Sequence, residues 1–258
     1  MRSQISQQWL AEAGLTLPLV QGGYKALRQW CMRRLQQLEQ AELLVVAGRT
    51  GSGKTRVIEN ARNALDLEAA ANHRGSAFGR RTTPQPSQAN FENLLAVNSL
   101  SLDLTRTIVI EDESRNIGSV HLPHALTERI QTAPVVMLET PLSLRVDFIV
   151  DDYVRDLQNE YQNAFTEDGL DHYQAYIEGS LRRIRKRLGG VLYSEVLADF
   201  QNAMTQQRTT HRLEGHRLWV ERLLTDYYDR MYDFQLNKAP RRVAFKGELD
   251  EVLSYLTE

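Results

Sequence analysis

A single cysteine, Cys31, stands in 258 residues, so no disulfide forms within the chain and a reducing, cytoplasmic setting is expected. No apolar run approaches the ~18 to 20 residues that cross a bilayer, and the first thirty residues hold no apolar core of the signal-peptide kind. Neither a membrane partner nor secretion is expected. An excess of basic charge is also missing: Lys and Arg total 31 against 33 Asp and Glu, a formal net charge of −2. Any nucleic-acid partner must therefore be met by a local patch rather than by a global field. Low-complexity tracts and internal repeats are absent. What is present, 42% hydrophobic and 25% charged residues, is the composition of an ordered globular protein. The length suits one large α/β domain, or one domain with an appendage.

The chain is organised around Gly48-Arg49-Thr50-Gly51-Ser52-Gly53-Lys54-Thr55, which has the G-x-x-x-x-G-K-[ST] spacing of a phosphate-binding P-loop. The apolar run Leu43 to Ala47 before it reads as a buried parallel strand, and Arg56 to Arg62 after it as a helix. Glycines let successive N–H groups turn inward, and the helix adds the positive end of its dipole, so the loop forms a concave anion site. Lys54 is expected to reach the terminal phosphates, and the Thr55 hydroxyl to sit on a magnesium ion.

Residues 1–30 read as a short helix ending at Gly14, a strand Leu17-Pro18-Leu19-Val20, and a second helix from Gly22-Gly23 to Trp30. This piece has too little apolar surface to fold alone. Arg33 to Glu42 reads as a polar helix or linker. After the P-loop, Ala64 to Glu68 reads as a second strand. A basic loop from His73 to Arg81 follows, then a helix capped by Ser87 with Phe91, Leu94 and Leu95 facing inward. Thr107 to Ile110 is a third strand, Pro123 to Thr132 a helix, Val135 to Leu138 a fourth strand and Leu142 to Leu157 a helix. Alternating strands and helices imply an α/β fold, a P-loop NTPase-like parallel, doubly wound sheet with ligands at the carboxyl ends of its strands. From residue 158 the pattern is mostly helical, punctuated by Gly169, Gly189-Gly190 and Gly215, with an acidic aromatic cluster at Asp226 to Asp229 and Tyr232. A late strand, Arg242 to Lys246, precedes a closing helix. The expected divisions are 1–38, 39–157 and a helical extension at 158–258.

An apolar strand ending in Glu111-Asp112 has the form of the carboxylate motif that orders magnesium beside a P-loop. Side chains alternate along a strand, so one of the two acids faces the phosphates, and Asp112 is the preferred one. Asp66 and Glu68, two apart on the expected second strand, open towards the same crevice or else cap the next helix. His73, Arg74 and Ser76, with Arg80 and Arg81, place a basic loop at a phosphate-rich ligand or simply in solvent. On the helix around 181–188, Leu181, Ile184 and Leu188 share one face and leave five cations, Arg182, Arg183, Arg185, Lys186 and Arg187, on the other. That strip is the first candidate for RNA backbone contacts, against the alternative of an ordinary solvated face. Asp151-Asp152 with Asp156 resembles the aspartate-rich motif of prenyl-diphosphate enzymes, but its spacing is one residue off, so it is read as an exposed helix face; His121 and His124, three apart without a helix or sulfur ligands nearby, are not read as a metal site.

Helix, short strand, Gly-Gly and a helix ending in Trp30 together resemble the last third of a rhodanese domain. On that likeness the chain starts just after the rhodanese loop and its cysteine, for which Cys31 is no substitute. Further blocks, Pro18 to Arg28, Asp66-Leu67-Glu68, His73-Arg74-Gly75-Ser76-Ala77-Phe78-Gly79, Asn90 to Leu95, Glu111-Asp112-Glu113-Ser114 to Gly118, and Tyr227-Tyr228-Asp229, resemble the tRNA 2-selenouridine synthase family. The resemblance implies a P-loop half behind a rhodanese remnant. It also implies tRNA as partner, geranyl diphosphate and selenophosphate as co-substrates, and geranylation of a wobble 2-thiouridine on the way to 2-selenouridine. A separate rhodanese domain or chain would complete selenium transfer. Lys54, Asp112 and Arg80 are then the expected catalytic residues, and Thr55 and Asp112 the expected metal ligands. ATP or GTP in the P-loop, as in a small-molecule kinase, and a non-catalytic tRNA- or nucleotide-binding module remain the alternatives.

Overall fold

A computed structural model of the chain describes residues 2–238 and 241–257. Met1 and Glu258, which bound the first and last expected divisions, lie outside the described residues. The P-loop strand β1 (Leu43–Gly48) is central in a five-stranded, all-parallel sheet ordered β2-β3-β1-β6-β7, with β2 (Ala64–Leu65), β3 (Ile108–Glu111), β6 (Val135–Leu138) and β7 (Val243–Gly247). Register runs Val45 opposite Ile110 on one side and Val135 on the other. Between β3 and β6 a two-stranded antiparallel ribbon, β4 (Asn116–Ile117) and β5 (Val120–His121), is set apart from the sheet.

Alternation along β1 sends Val45 and Ala47 to one face and Val46 to the other. The first face is covered by α2 (Gly23–Gln40), α5 (Gln88–Asn98) and α6 (His124–Thr132), through Leu35, Leu38, Phe91, Leu95, Leu126 and Ile130. The second is covered by α3 (Lys54–Asn60) and α13 (Leu249–Tyr255), through Val57, Ile58 and Val252. Helices on both faces of a parallel sheet make the expected doubly wound, P-loop NTPase-like α/β fold. A separate apolar core lies among α7 (Leu142–Val150), α8 (Leu157–Phe165), α9 (Gly169–Leu188), α10 (Gly190–Thr210) and α11 (His216–Leu223). After α11 comes α12 (Asp229–Lys238), and β7 then returns the chain to the sheet edge. Among the described residues, no helix is long and apolar enough to cross a membrane.

Four local expectations are corrected. Leu17 to Val20 forms no ladder and is exposed, because no strand lies beside it to accept its backbone hydrogen bonds. The second strand stops at Leu65. Asp66 leaves the sheet and caps α4 (Leu67–Ala71), its carboxylate accepting from the Ala69 N–H at 2.7 Å. Ser87 does cap α5, yet only Phe91 and Leu95 of its expected trio are buried, while Leu94 is 41% exposed. The helical run 142–157 is interrupted by a wider π-helical turn at Asp151–Asp156, and a second such turn occupies Leu224–Tyr228. Single π turns inside α-helices re-aim side chains and gather at functional sites. Both of these turns face the cleft region described next.

Candidate functional site

At the carboxyl end of β1 the chain turns through Arg49 to Gly53 into α3. Gly51 and Gly53 hold φ of +78° and +89°, a left-handed conformation that side chains disfavour. The loop borders an open cleft of about 510 Å³ that also takes in Asp66, Glu68, His73, Arg74, Ser76, Arg81 and Glu111. Lys54 reaches back over the loop, its Nζ donating to the Gly48 carbonyl at 3.2 Å. Thr50, Ser52 and Thr55 line the same cleft.

The strand-end acids divide in the opposite sense to the one expected. Glu111 faces the cleft and is 1% exposed, its Oε2 accepting from the Leu67 and Glu68 N–H groups at 3.1 and 3.3 Å. Its Oε1 is buried without a partner among the described residues. Asp112 points away from the phosphate loop and pairs with Arg241 at 3.0 Å. The expected magnesium and catalytic role of Asp112 has no geometric basis, because alternation gives the cleft to its neighbour.

Lys54 sits among carboxylates whose ordinary acidity is suppressed. Burial, then the charges of Glu111 and Glu113, push Glu68 up to about 9. Burial, then Asp66 and Glu113, push Glu111 up to about 8. Glu113 is raised as well, by burial, with Lys54 opposing the shift. Gly75, at φ +52°, lies against the Glu68 and Glu113 carboxylates, and a Cβ there would collide with both. A glycine is thus required where the basic loop crosses the acids.

That loop brings two of its three arginines to the cleft. Arg74 and Arg81 line it and share Glu160, at 3.3 and 2.7 Å. Arg80 is exposed, does not line the cleft, and donates its backbone N–H to the Tyr176 hydroxyl at 3.0 Å. Its expected catalytic place is therefore corrected: the His73 to Arg80 bridge turns it outward. His73 is buried, its Nδ1 has no partner, and burial lowers its pKa. Arg49, expected to contact phosphate, turns its side chain to Asp229 and Asp233 instead.

Asp152 and Asp156, read from sequence as an exposed face, line the cleft from the π turn, and burial raises the Asp152 pKa. Glu113, given no role by the sequence beyond its place in a likeness block, also lines it, as do Phe148, Ile149 and Tyr153, which no sequence signal marks. The aspartate spacing was the available signal. Its meaning depended on a π turn, which shifts the helical phase.

A second, apolar slot adjoins the cleft, closed down by its own lining to about 30 Å³ of free space. Thr50, Ser76, Ile149 and Tyr153 belong to both walls. Phe78, Trp219 and Leu223 line only the slot, as does Tyr228, whose buried hydroxyl has no partner. At the shared wall the Ser76 and Tyr153 hydroxyls bond at 2.9 Å. The slot thus joins Ser76 and Phe78 of the basic loop to Tyr228, some 150 residues later in the sequence.

A model of the tRNA 2-selenouridine synthase AAA domain matches residues 41–258. The tRNA 2-selenouridine synthase of Sulfurovum sp. (strain NBC37-1) is 42% identical over 260 residues, covering 100% of this chain and 71% of that protein. The chain belongs to the tRNA 2-selenouridine synthase family. No solved structure matches it. Of the residues that carry the sequence likeness, Asp66, Glu68, His73 to Ser76, Phe78, Glu111, Glu113 and Tyr228 line the cleft or its slot, while the blocks at 18–28 and 90–95 line neither.

The five cations of the basic strip are exposed along α9, with Leu181 and Ile184 buried beneath them, as expected. Arg183 donates to the Ala77 carbonyl at 3.2 Å, so the strip abuts the loop that forms the cleft wall. Arg182, Arg183, Arg185, Lys186 and Arg187 make no ion pair among the described residues.

Proposed function

We propose that this chain modifies the wobble uridine of tRNA, binding geranyl diphosphate with its phosphates on the P-loop and its hydrocarbon in the apolar slot, whose side chains part to admit it. The observation that supports this reading is the shared wall. A polar cradle and an apolar slot that meet at Thr50, Ser76, Ile149 and Tyr153 match a ligand with a charged head and a greasy tail. The division of the chain into a rhodanese-like remnant, a P-loop core and a helical tRNA-binding extension is part of the same proposal. So is the role of the α9 strip in holding the tRNA backbone.

Geranyl transfer joins the 2-thio sulfur to the first carbon of the geranyl group and breaks that carbon's bond to oxygen, the electron pair leaving on the diphosphate. The chain's part is electrostatic. Lys54 and the N–H groups at the start of α3 lie where negative charge grows on the departing phosphates, while Tyr153 and Ile149 hold the hydrocarbon away from water. The residues fit a magnesium ion. Glu111 Oε1 is an orphaned buried oxygen beside the Thr55 hydroxyl loop, and a phosphate-bound magnesium needs only one or two protein oxygens. When bound, the ion would neutralise phosphate charge. Selenium transfer from selenophosphate needs a thiol at the site, and Cys31 is buried between α2 and the sheet.

Incubation of the chain with 2-thiouridine tRNA, geranyl diphosphate and magnesium, with and without selenophosphate, tests the proposal by mass analysis of the digested nucleosides. A geranylated nucleoside that Lys54→Ala abolishes is expected. No modified nucleoside, with tRNA still bound, would overturn the transfer role and leave a binding module. A second reading rests on Arg56, whose guanidinium lies 4.0 Å above the Phe148 ring at the cleft. Such a platform would stack the base of ATP or GTP, and tight ATP binding with no affinity for geranyl diphosphate would favour it.

A further inference from the structure

The outer side of the P-loop is held as firmly as its inner side is open. Arg145, 3% exposed on α7, donates its Nε to the Thr50 carbonyl at 2.9 Å. Its two terminal nitrogens grip both oxygens of Asp229, at 3.0 and 2.6 Å, at the first residue of α12. Arg49 adds a bond to the same carboxylate at 3.2 Å. Two residues further along the loop, the Thr140 hydroxyl donates to the Ser52 carbonyl at 2.8 Å. In a planar trans peptide the carbonyl and the following N–H point in opposite directions. Bonds that draw the Thr50 and Ser52 carbonyls outward therefore turn the Gly51 and Gly53 N–H groups the other way, to the side where the loop lines the cleft. Within the loop these are the two glycines with left-handed φ, the positions where the backbone has most freedom to flip.

We infer that Arg145, held by Asp229, and Thr140 are positioning residues that preset the Gly51 and Gly53 N–H groups as anion donors before any ligand arrives. The inference rests on the reading of the cleft as a diphosphate site, and it gives Asp229, 180 residues from Arg49, a place in phosphate binding without contact to phosphate. Preorganised donors bind anions more tightly because no loop entropy is lost on binding.

The test uses the full chain and inorganic pyrophosphate with magnesium, read by titration calorimetry, together with hydrogen exchange of the 49–53 segment in the ligand-free protein. Asp229→Asn is expected to weaken pyrophosphate binding about tenfold or more, and Thr140→Val about three- to tenfold. Both should speed exchange at Gly51 and Gly53 while leaving tRNA affinity within about twofold, and Thr140→Ser should restore the wild-type values. Should Asp229→Asn fail to fold, the Thr140→Val and Thr140→Ser pair carries the test. Wild-type affinity and wild-type exchange in Thr140→Val would overturn the inference. If the wild type does not bind pyrophosphate, the diphosphate reading fails, and the exchange rates alone decide whether the loop is braced.

Discussion

Two clusters of buried polar side chains lie within one molecule, and they are built on opposite plans. In the helical extension Gln158 and Gln207 exchange hydrogen bonds at 3.1 and 2.6 Å. Gln207 also meets His216 Nε2 at 2.8 Å, and the Trp219 indole N–H donates to His216 Nδ1 at 2.9 Å. This network is complete: the imidazole accepts on Nδ1, carries its hydrogen on Nε2, and burial lowers its pKa to about 4. In the cleft, by contrast, Ser52 Oγ, His73 Nδ1 and Glu111 Oε1 are buried with no partner among the described residues. An unmade hydrogen bond at a buried group costs about 1–3 kcal/mol, so a fold retains several together only where something else completes them. The satisfied cluster is architecture, and on the proposed function the unsatisfied one is completed by the phosphate ligand.

Breaking the contrast at the cleft should give the largest effect. Lys54→Ala removes the cation whose charge opposes the raised pKa values of Glu68 and Glu113 and would meet the incoming phosphates. Geranyl transfer should fall about 10² to 10³-fold with little change in melting temperature, since the lysine's only hydrogen bond is to the loop itself. A matched loss of stability would mean that Lys54 is structural. Gln207→Leu tests the other side. It orphans both Gln158 and His216, and calorimetric stability should fall by about 2–4 kcal/mol, while pyrophosphate affinity well below the melting transition stays as in the wild type. Loss of affinity there would dissolve the distinction between the two clusters.

A smaller effect follows from His216. Its folded pKa lies below the ordinary value, so below about pH 6.5 the unfolded chain takes up a proton that the folded chain refuses. Stability from this residue is fully present at neutral pH and drains as pH falls from about 6.5 towards 4, by at most about 1.4 kcal/mol per pH unit. Denaturant titrations across that window should show the slope, and His216→Gln should flatten it.

Much of this was readable from residues alone, and the failures share a cause. The P-loop, the central strand before it and the alternation of strands and helices are local patterns, set by glycine geometry and by runs such as Leu43 to Ala47. The choice between Glu111 and Asp112 was not local. Alternation says that the two differ in side, but which side meets the phosphates is fixed by where β3 sits against β1. Asp66 shifted from strand to cap because β2 pairs over just two residues. Asp152 and Asp156 were assigned to solvent because a regular helix was assumed across 151–156. Leu17 to Val20 had the composition of a strand and no neighbour to make it one. The slot was not legible at all, since Phe78, Ile149, Trp219 and Tyr228 meet only in three dimensions.

The account turns on one ligand occupying both the cradle and the slot. The most direct measurement is titration of the full chain, with magnesium, by geranyl diphosphate and by inorganic pyrophosphate, following tryptophan fluorescence with Trp219→Phe as the control for the slot. Both ligands should bind, geranyl diphosphate more tightly by about tenfold or more for its buried hydrocarbon. Only geranyl diphosphate should change an emission that Trp219→Phe removes. Equal affinities, with no change at Trp219, would contradict the account and leave the slot as ordinary core.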